Sequence, residues 1–176
     1  RFSSKASMET KTVFVLRFEC VSTGKTFDLT YQRLNNISEE IQNHFAKLTD
    51  SDGPGRESPS MIGSVVYRNV PKFALQGGSE DRDGQIERTR ARGTCIKTED
   101  LGDISEKGML CFLVREGKIC DEFFIGFAPL PHLKGKQVVF ARLIEGESNM
   151  NELESLGSPS GETTERIKLS IVTYQQ

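Results

Sequence analysis

Apolar and polar residues alternate with a period of two along much of this 176-residue chain, and that alternation marks where strands are expected. Thr12–Cys20 (TVFVLRFEC) and Lys25–Tyr31 (KTFDLTY) flank Ser22-Thr23-Gly24-Lys25 and predict a hairpin with one buried face. From Asn36 to Leu48 the spacing changes. Ile37, Ile41, Phe45 and Leu48 fall three or four apart, which predicts a helix over 36–48. Asn36 followed by Glu39 suggests a capping box at its start. Gly108–Val114 and Glu122–Phe127 are nearly continuous apolar runs and predict core strands joined by the charged turn Arg115-Glu116-Gly117-Lys118. Val138–Ile144 predicts another strand. Met150, Leu153 and Leu156 give a second helix, over 149–156, its apolar stripe, with Gly157 as its stop. Ile167, Leu169, Ile171 and Thr173 alternate in a last strand. A chain of this length fits one domain, expected over 12–176 after an extension over 1–11.

The densest stretch is Gly63–Gly78, GSVVYRNVPKFALQGG. It predicts a strand from Ser64 to Tyr67, a turn through Arg68-Asn69-Val70-Pro71, and a second strand at Phe73-Ala74-Leu75-Gln76. Alternation allows Val65, Tyr67, Phe73 and Leu75 all to pack. Pro71 removes a backbone donor, so its turn belongs at an edge or corner of the sheet. Gly77-Gly78 is expected to end the second strand, by a sharp turn or by letting something approach closely. Arg68, Phe73 and Gln76 thus bring together a fixed cation, an apolar ring and a neutral amide.

Tyr67, Arg68, Pro71, Phe73, Gln76, Gly77 and Gly78 fall without a gap on a pattern of aromatic, Arg, two residues, Pro, any, Phe, two residues, Gln-Gly-Gly. In this the chain resembles the cyclophilins, peptidyl-prolyl cis-trans isomerases. Gly135-Lys136-Gln137-Val138-Val139-Phe140 is similar to the family's Gly-Lys-His-Val-Val-Phe strand. Glu145-Gly146 through Gly157-Ser158, then Arg166-Ile167-Lys168-Leu169, resembles its closing helix and last strand. The likeness covers roughly Thr12 to Tyr174. It implies a mainly β fold, a closed eight-stranded antiparallel barrel capped by two α-helices.

Composition narrows the partners. With 36% hydrophobic and 27% charged residues and a net charge of −2, the chain reads as soluble, and nucleic acid is an unlikely main partner. Arg88, Arg90 and Arg92 occupy alternate positions and suit at most a local contact with an acidic partner or phosphate; a solvated loop balanced by neighbouring acids is the plainer reading. No run approaches membrane-spanning length. Cys20, Cys95, Cys111 and Cys120 lack C-x-x-C spacing, so four reduced, mostly buried thiols are expected, with no metal and no cofactor. Asp50–Ser60 reads as a polar surface loop. Arg1-Phe2-Ser3-Ser4 resembles a mitochondrial processing site; a non-native scar ahead of a start at Met8 is nearly as good a reading, which would leave the protein cytoplasmic.

Rotation about an X–Pro bond needs neither nucleophile nor general base. It needs an apolar seat for the ring, anchors for the backbone, and a donor aimed at the prolyl nitrogen, whose lone pair localises only in the twisted state. The resemblance assigns that donor to Arg68 and a backbone anchor to Gln76, with Phe73, Phe124 and Leu133 lining the proline seat. It also exposes departures. A pocket methionine falls on Ala74, which should leave a roomier floor. An Ala-Asn pair that hydrogen-bonds substrate falls on Leu113-Val114, and a glutamine falls on Glu122, a carboxylate able to draw Arg68 into an ion pair. The tryptophan of cyclosporin-sensitive relatives falls on His132, and the strand histidine on Gln137. Three readings follow: an impaired isomerase, a reader of proline-containing peptides, or a structural subunit of a larger assembly. The departures favour the third, with weak isomerase activity as the alternative.

Overall fold

The computed structural model describes residues 12–50, 61–82, 85–87 and 95–175. The extension with its Arg1–Ser4 start, most of the Asp50–Ser60 loop, and Arg88, Arg90 and Arg92 lie outside the described residues.

The elements run β1 (Val13–Cys20), β2 (Thr26–Arg33), α1 (Glu39–Leu48), β3 (Val65–Val70), β4 (Ala74–Arg82), β5 (Gln85–Glu87), β6 (Ile96–Lys97), β7 (Leu110–Arg115), β8 (Lys118–Gly126), β9 (Val138–Glu145), α2 (Glu147–Ser155) and β10 (Ile167–Tyr174). Antiparallel neighbours follow the order β4-β3-β10-β1-β2-β9-β7-β8, and β8 pairs back onto β4. Eight strands therefore close into a barrel, with β5 and β6 as short additions at its rim. Closure leaves these eight strands no free edge.

Inward-facing rings fill the barrel. Phe45 of α1 lies 4.9 Å from Phe14 and 4.5 Å from Phe140, so the helix plugs one end with Ile41, Phe45 and Leu48. That helix begins later than its periodicity suggests. Ser38, not Asn36, is the N-cap, its Oγ accepting the Ile41 N–H at 3.4 Å. Glu39 and Glu40 then sit in the first turn, where the helix dipole favours them. The second helix runs over 147–155 instead of 149–156, and Gly157 marks its end for a reason of space: a Cβ there would lie 2.4 Å from the Asn69 carbonyl oxygen.

The Gly63–Gly78 stretch is more regular than its proline suggests. Arg68, Asn69 and Val70 belong to β3, and the reversal is confined to Pro71-Lys72-Phe73, with Lys72 at φ 68. Gly77 and Gly78 do not end β4, which continues to Arg82. They admit close approach instead. A Cβ on Gly77 would lie 2.6 Å from Cζ of Phe123, and one on Gly78 (φ 100) 2.5 Å from the Asp121 carbonyl oxygen. The β7–β8 turn narrows to Glu116 (φ 52) and Gly117 (φ 73), both left-handed as a two-residue hairpin loop of this twist requires.

In β10 the alternation breaks. Leu169 faces Phe18 and Ile171 faces Arg17, so Ser170 is the extra residue of a bulge. Ile167 and Leu169 point inward, whereas Ile171 is 43% exposed and Val172 packs against the core. The expectation of four thiols also fails. Cys95 and Cys120 form a disulfide, because β6 pairs Ile96 with Ile119 and so sets Cys95 opposite Cys120. Cys20 and Cys111 are buried thiols, and burial pushes the Cys111 thiol far up.

Candidate active site

β7, β8 and β9 bury both faces over part of their length, which is why LCFLV, FFIG and VVFA read as continuous apolar runs, and β4 joins them at Ala74 and Leu75. Leu75, Phe112, Phe123, Val138 and Phe140 point into the barrel. Their chain neighbours Ala74, Cys111, Phe124 and Val139 point outward and form a second cluster with Ile104, Met109 and Leu130. Phe73, Leu113 and Leu133 pack on this outer cluster while remaining half-buried. They make an apolar shelf open to solvent.

The strand register carries a line of side chains onto that shelf. Arg68 of β3 lies opposite Gln76 of β4, Gln76 opposite Phe124 of β8, and Phe124 opposite Cys111 of β7. Cation, amide and ring are therefore cross-strand neighbours on one face. Arg68 donates from Nη1 to Oε1 of Gln76 at 3.4 Å, and its guanidinium carbon lies 5.5 Å from the centre of the Phe73 ring. That is within cation–π range. His132, exposed on a short 3₁₀ turn over Pro131–Leu133, stacks on the other side of the shelf, its ring 6.3 Å from Phe73 at 26°.

Two residues behind Arg68 hold it there. Asn69 is wholly buried; its Nδ2 donates to the Leu153 carbonyl at 2.8 Å, and its backbone N–H donates to the Gly161 carbonyl at 2.8 Å. Gly161 itself presses on Arg68: a Cβ there would lie 2.7 Å from Cγ of the arginine. The end of α2 and the segment after it thus fix the backbone and the stem of the cation.

The expected Glu122–Arg68 ion pair does not form. Glu122 instead accepts from Nε and Nη2 of Arg115, both at 3.0 Å, and from the Tyr67 hydroxyl at 3.0 Å. Hydrogen bonding to Glu122 raises the Arg115 guanidinium above its usual range. The pairing of β3 with β4 slips between Val66 and Arg68, which leaves Tyr67 without an opposite residue on β4, and it is the Tyr67 hydroxyl that reaches Glu122. Among the described residues no carboxylate pairs with Arg68. Ala74 is 1% exposed and packs in the outer cluster.

Leu113 and Val114 bring no polar side-chain atom to the rim. Gln137 reaches across from the segment before β9, and its Oε1 accepts the Val114 N–H at 2.7 Å. All the residues singled out from the sequence, Arg68, Phe73, Ala74, Gln76, Leu113, Val114, Glu122, Phe124, His132, Leu133 and Gln137, thus lie on or beside the shelf, but Glu122 and Gln137 are engaged by protein groups. Arg115, Asn69 and Gly161 were not foreseen. A neutral amide set between two strand residues was the one available hint for Asn69; Arg115 and Gly161 gave none. Among the described residues no group of three or more His, Cys, Asp or Glu is gathered as a metal would need.

Comparison with known proteins agrees with this arrangement. Residues 35–174 match the family described as cyclophilin type peptidyl-prolyl cis-trans isomerase/CLD. A peptidyl-prolyl cis-trans isomerase D of Mycosarcoma maydis is 32% identical over 99 residues, covering 55% of this chain and 25% of that protein. One from Cryptococcus neoformans is 27% identical over 146 residues, covering 81% of this chain and 39% of its own. The chain thus spans between a quarter and two-fifths of these curated relatives. A cyclophilin type isomerase of Cryptosporidium parvum, solved in the presence of the dipeptide Ala-Pro, superposes with a TM-score of 0.70 at 19% identity, covering 93% of this chain and 99% of that one. With its barrel closed, its Arg-Gln-Phe line in register and most of its length matched, this chain belongs to the cyclophilin-type peptidyl-prolyl cis-trans isomerase family.

Proposed function

We propose that the domain seats X–Pro segments on the Phe73–Leu113–Phe124–Leu133 shelf and isomerises them weakly, with Arg68 as the donor to the prolyl nitrogen. The observation that carries this reading is Arg68 itself, held over Phe73 with no carboxylate partner among the described residues. A cation already committed to an acid would have to give it up in the transition state, and that cost is absent. As the amide twists, the prolyl nitrogen becomes a better acceptor, so an arginine fork aimed there binds the twisted form preferentially.

A second reading, binding without useful turnover as a reader or subunit of an assembly, draws on the rim. Leu113 and Val114 offer substrate no side-chain hydrogen bond, and the Val114 N–H is taken by Gln137. Losing one or two such bonds at about 1 kcal/mol each lowers turnover by about fivefold to thirtyfold. Exchange NMR on a short Ala-Pro peptide separates the two. Weak exchange abolished by Arg68→Ala supports isomerisation. Peptide-induced shifts at Phe73 and Leu113 without exchange favour the binding reading, and exchange untouched by Arg68→Ala overturns the assignment of Arg68.

A further inference from the structure

A second cleft, of about 190 Å³, opens at the barrel end that α1 plugs and shares no residue with the shelf. Its walls come from the ends of β1, β2 and β10 and from the outer side of α1: Phe14, Arg33, Gln42, Asn43, Phe45 and Tyr174 among them. Among the described residues no carboxylate lines it and Arg33 is its single charged group, with an Nε that is buried without a hydrogen-bond partner. A buried guanidinium nitrogen left unpaired is costly. Burial also lowers the Arg33 pKa from its usual value, with only the Tyr174 phenol opposing that shift. Tyr174 is held in turn by Thr49, whose Oγ1 lies 2.8 Å from its hydroxyl oxygen.

A cation with no counter-charge among the described residues, set in a concave site with aromatic walls and two side-chain amides, has the makings of an anion site. We infer that this cleft takes a small organic carboxylate, its oxygens met by the Arg33 guanidinium and its apolar body laid against the exposed ring of Tyr174. A carboxylate matches the planar guanidinium, gives its charge a counter-ion, and leaves Gln42 and Asn43 as donors at the mouth. The volume admits a body of one ring and excludes a folded peptide. Benzoate represents a free acid of this kind, and N-acetylphenylalanine the terminal carboxylate of a chain.

The test is an amide-shift titration of the whole chain. Benzoate at millimolar concentration shifts Gln42, Asn43, Ala46 and Tyr174 saturably and leaves Gln76 and Phe124 unmoved. Benzamide, equal in shape and uncharged, binds about tenfold more weakly or less, and Arg33→Gln removes the benzoate response. A tighter response to N-acetylphenylalanine than to benzoate identifies a chain terminus as the nearer ligand and equally supports an Arg33 site. Absence of saturable shifts with either acid overturns the inference, as does equal binding of benzamide. Since the benzoate–benzamide comparison uses the unaltered protein, it decides the matter even if Arg33→Gln fails to fold.

Discussion

Phe123 and Phe124 are consecutive residues of one strand, both almost wholly buried, and they serve opposite faces of the barrel. Phe123 packs inward, under the backbone of Gly77, in the large cluster that fills the barrel. Phe124 packs outward, in a smaller cluster edged by half-buried Leu34, Phe73, Leu113 and Leu133. The inner cluster fills the barrel, so what it stabilises is the fold. The outer one leaves apolar surface uncovered and sets a cation beside it. Two faces of the same strands therefore answer to different demands, and the outer face can change without disturbing the inner.

That contrast is easiest to break from inside. Phe123→Ala should cost about 3–5 kcal/mol of unfolding free energy, read by denaturant titration. Phe73→Ala, at the open edge of the shelf, should cost about 1 kcal/mol or less by the area it buries while removing proline-peptide binding. Equal losses in the two variants would mean that the shelf is core after all. Next in size is the Cys95–Cys120 link, which ties the rim strand β6 to β8 across a sequence separation of 25. Its reduction should lower stability by about 3 kcal/mol on the loop-closure estimate, measured with and without dithiothreitol. Cys95→Ser with Cys120→Ser should respond to the reagent no further.

Lys72 sharpens the comparison from the shelf side. At φ 68 it occupies a conformation that costs a side chain roughly 1 kcal/mol, and its N–H donates to the Glu154 carboxylate at 2.6 Å. Lys72→Gly keeps that bond and should raise the unfolding free energy by about 0.5–1 kcal/mol, with peptide binding unchanged. The smallest effect belongs to His44, inside α1, whose Nε2 lies 2.7 Å from the Cys120 carbonyl and so donates when neutral. Burial, the leading cause, lowers its pKa below the usual 6.5. The unfolded chain then takes up the proton first as pH falls. Stability from this group is complete above 6.5 and declines as pH drops through the depressed folded value. His44→Gln should flatten that slope in pH-dependent thermal melts.

Much of the barrel was legible because alternation survives in most strands, and the hairpin of β1 and β2 follows its pattern closely. Where reading failed, a local irregularity had shifted the phase. One residue, Ser170, turns Ile171 from an expected core position to an exposed one, and nothing in IKLSIVTY signals it. Cys95 and Cys120 paired through a register that sequence spacing does not encode. At the shelf, residue identities were readable from the motif, but their partners were not. Glu122 was expected to reach Arg68 because it falls where the resemblance puts a neutral glutamine; instead Tyr67, at an irregularity in the β3 register, reaches it, and Arg115 supplies the charge.

The line from Arg68 through Gln76 to Phe124 also works as a ruler. Adjacent strands lie about 4.8 Å apart, so the backbones beneath the cation and the ring are separated by about 10 Å. An extended chain advances about 3.3 Å per residue. Any peptide lying across these strands and touching both ends is therefore gauged at about three residues. Because hydrogen bonding between strands sets that interval, side-chain substitutions along the line alter what is gripped but leave the length of the measure unchanged.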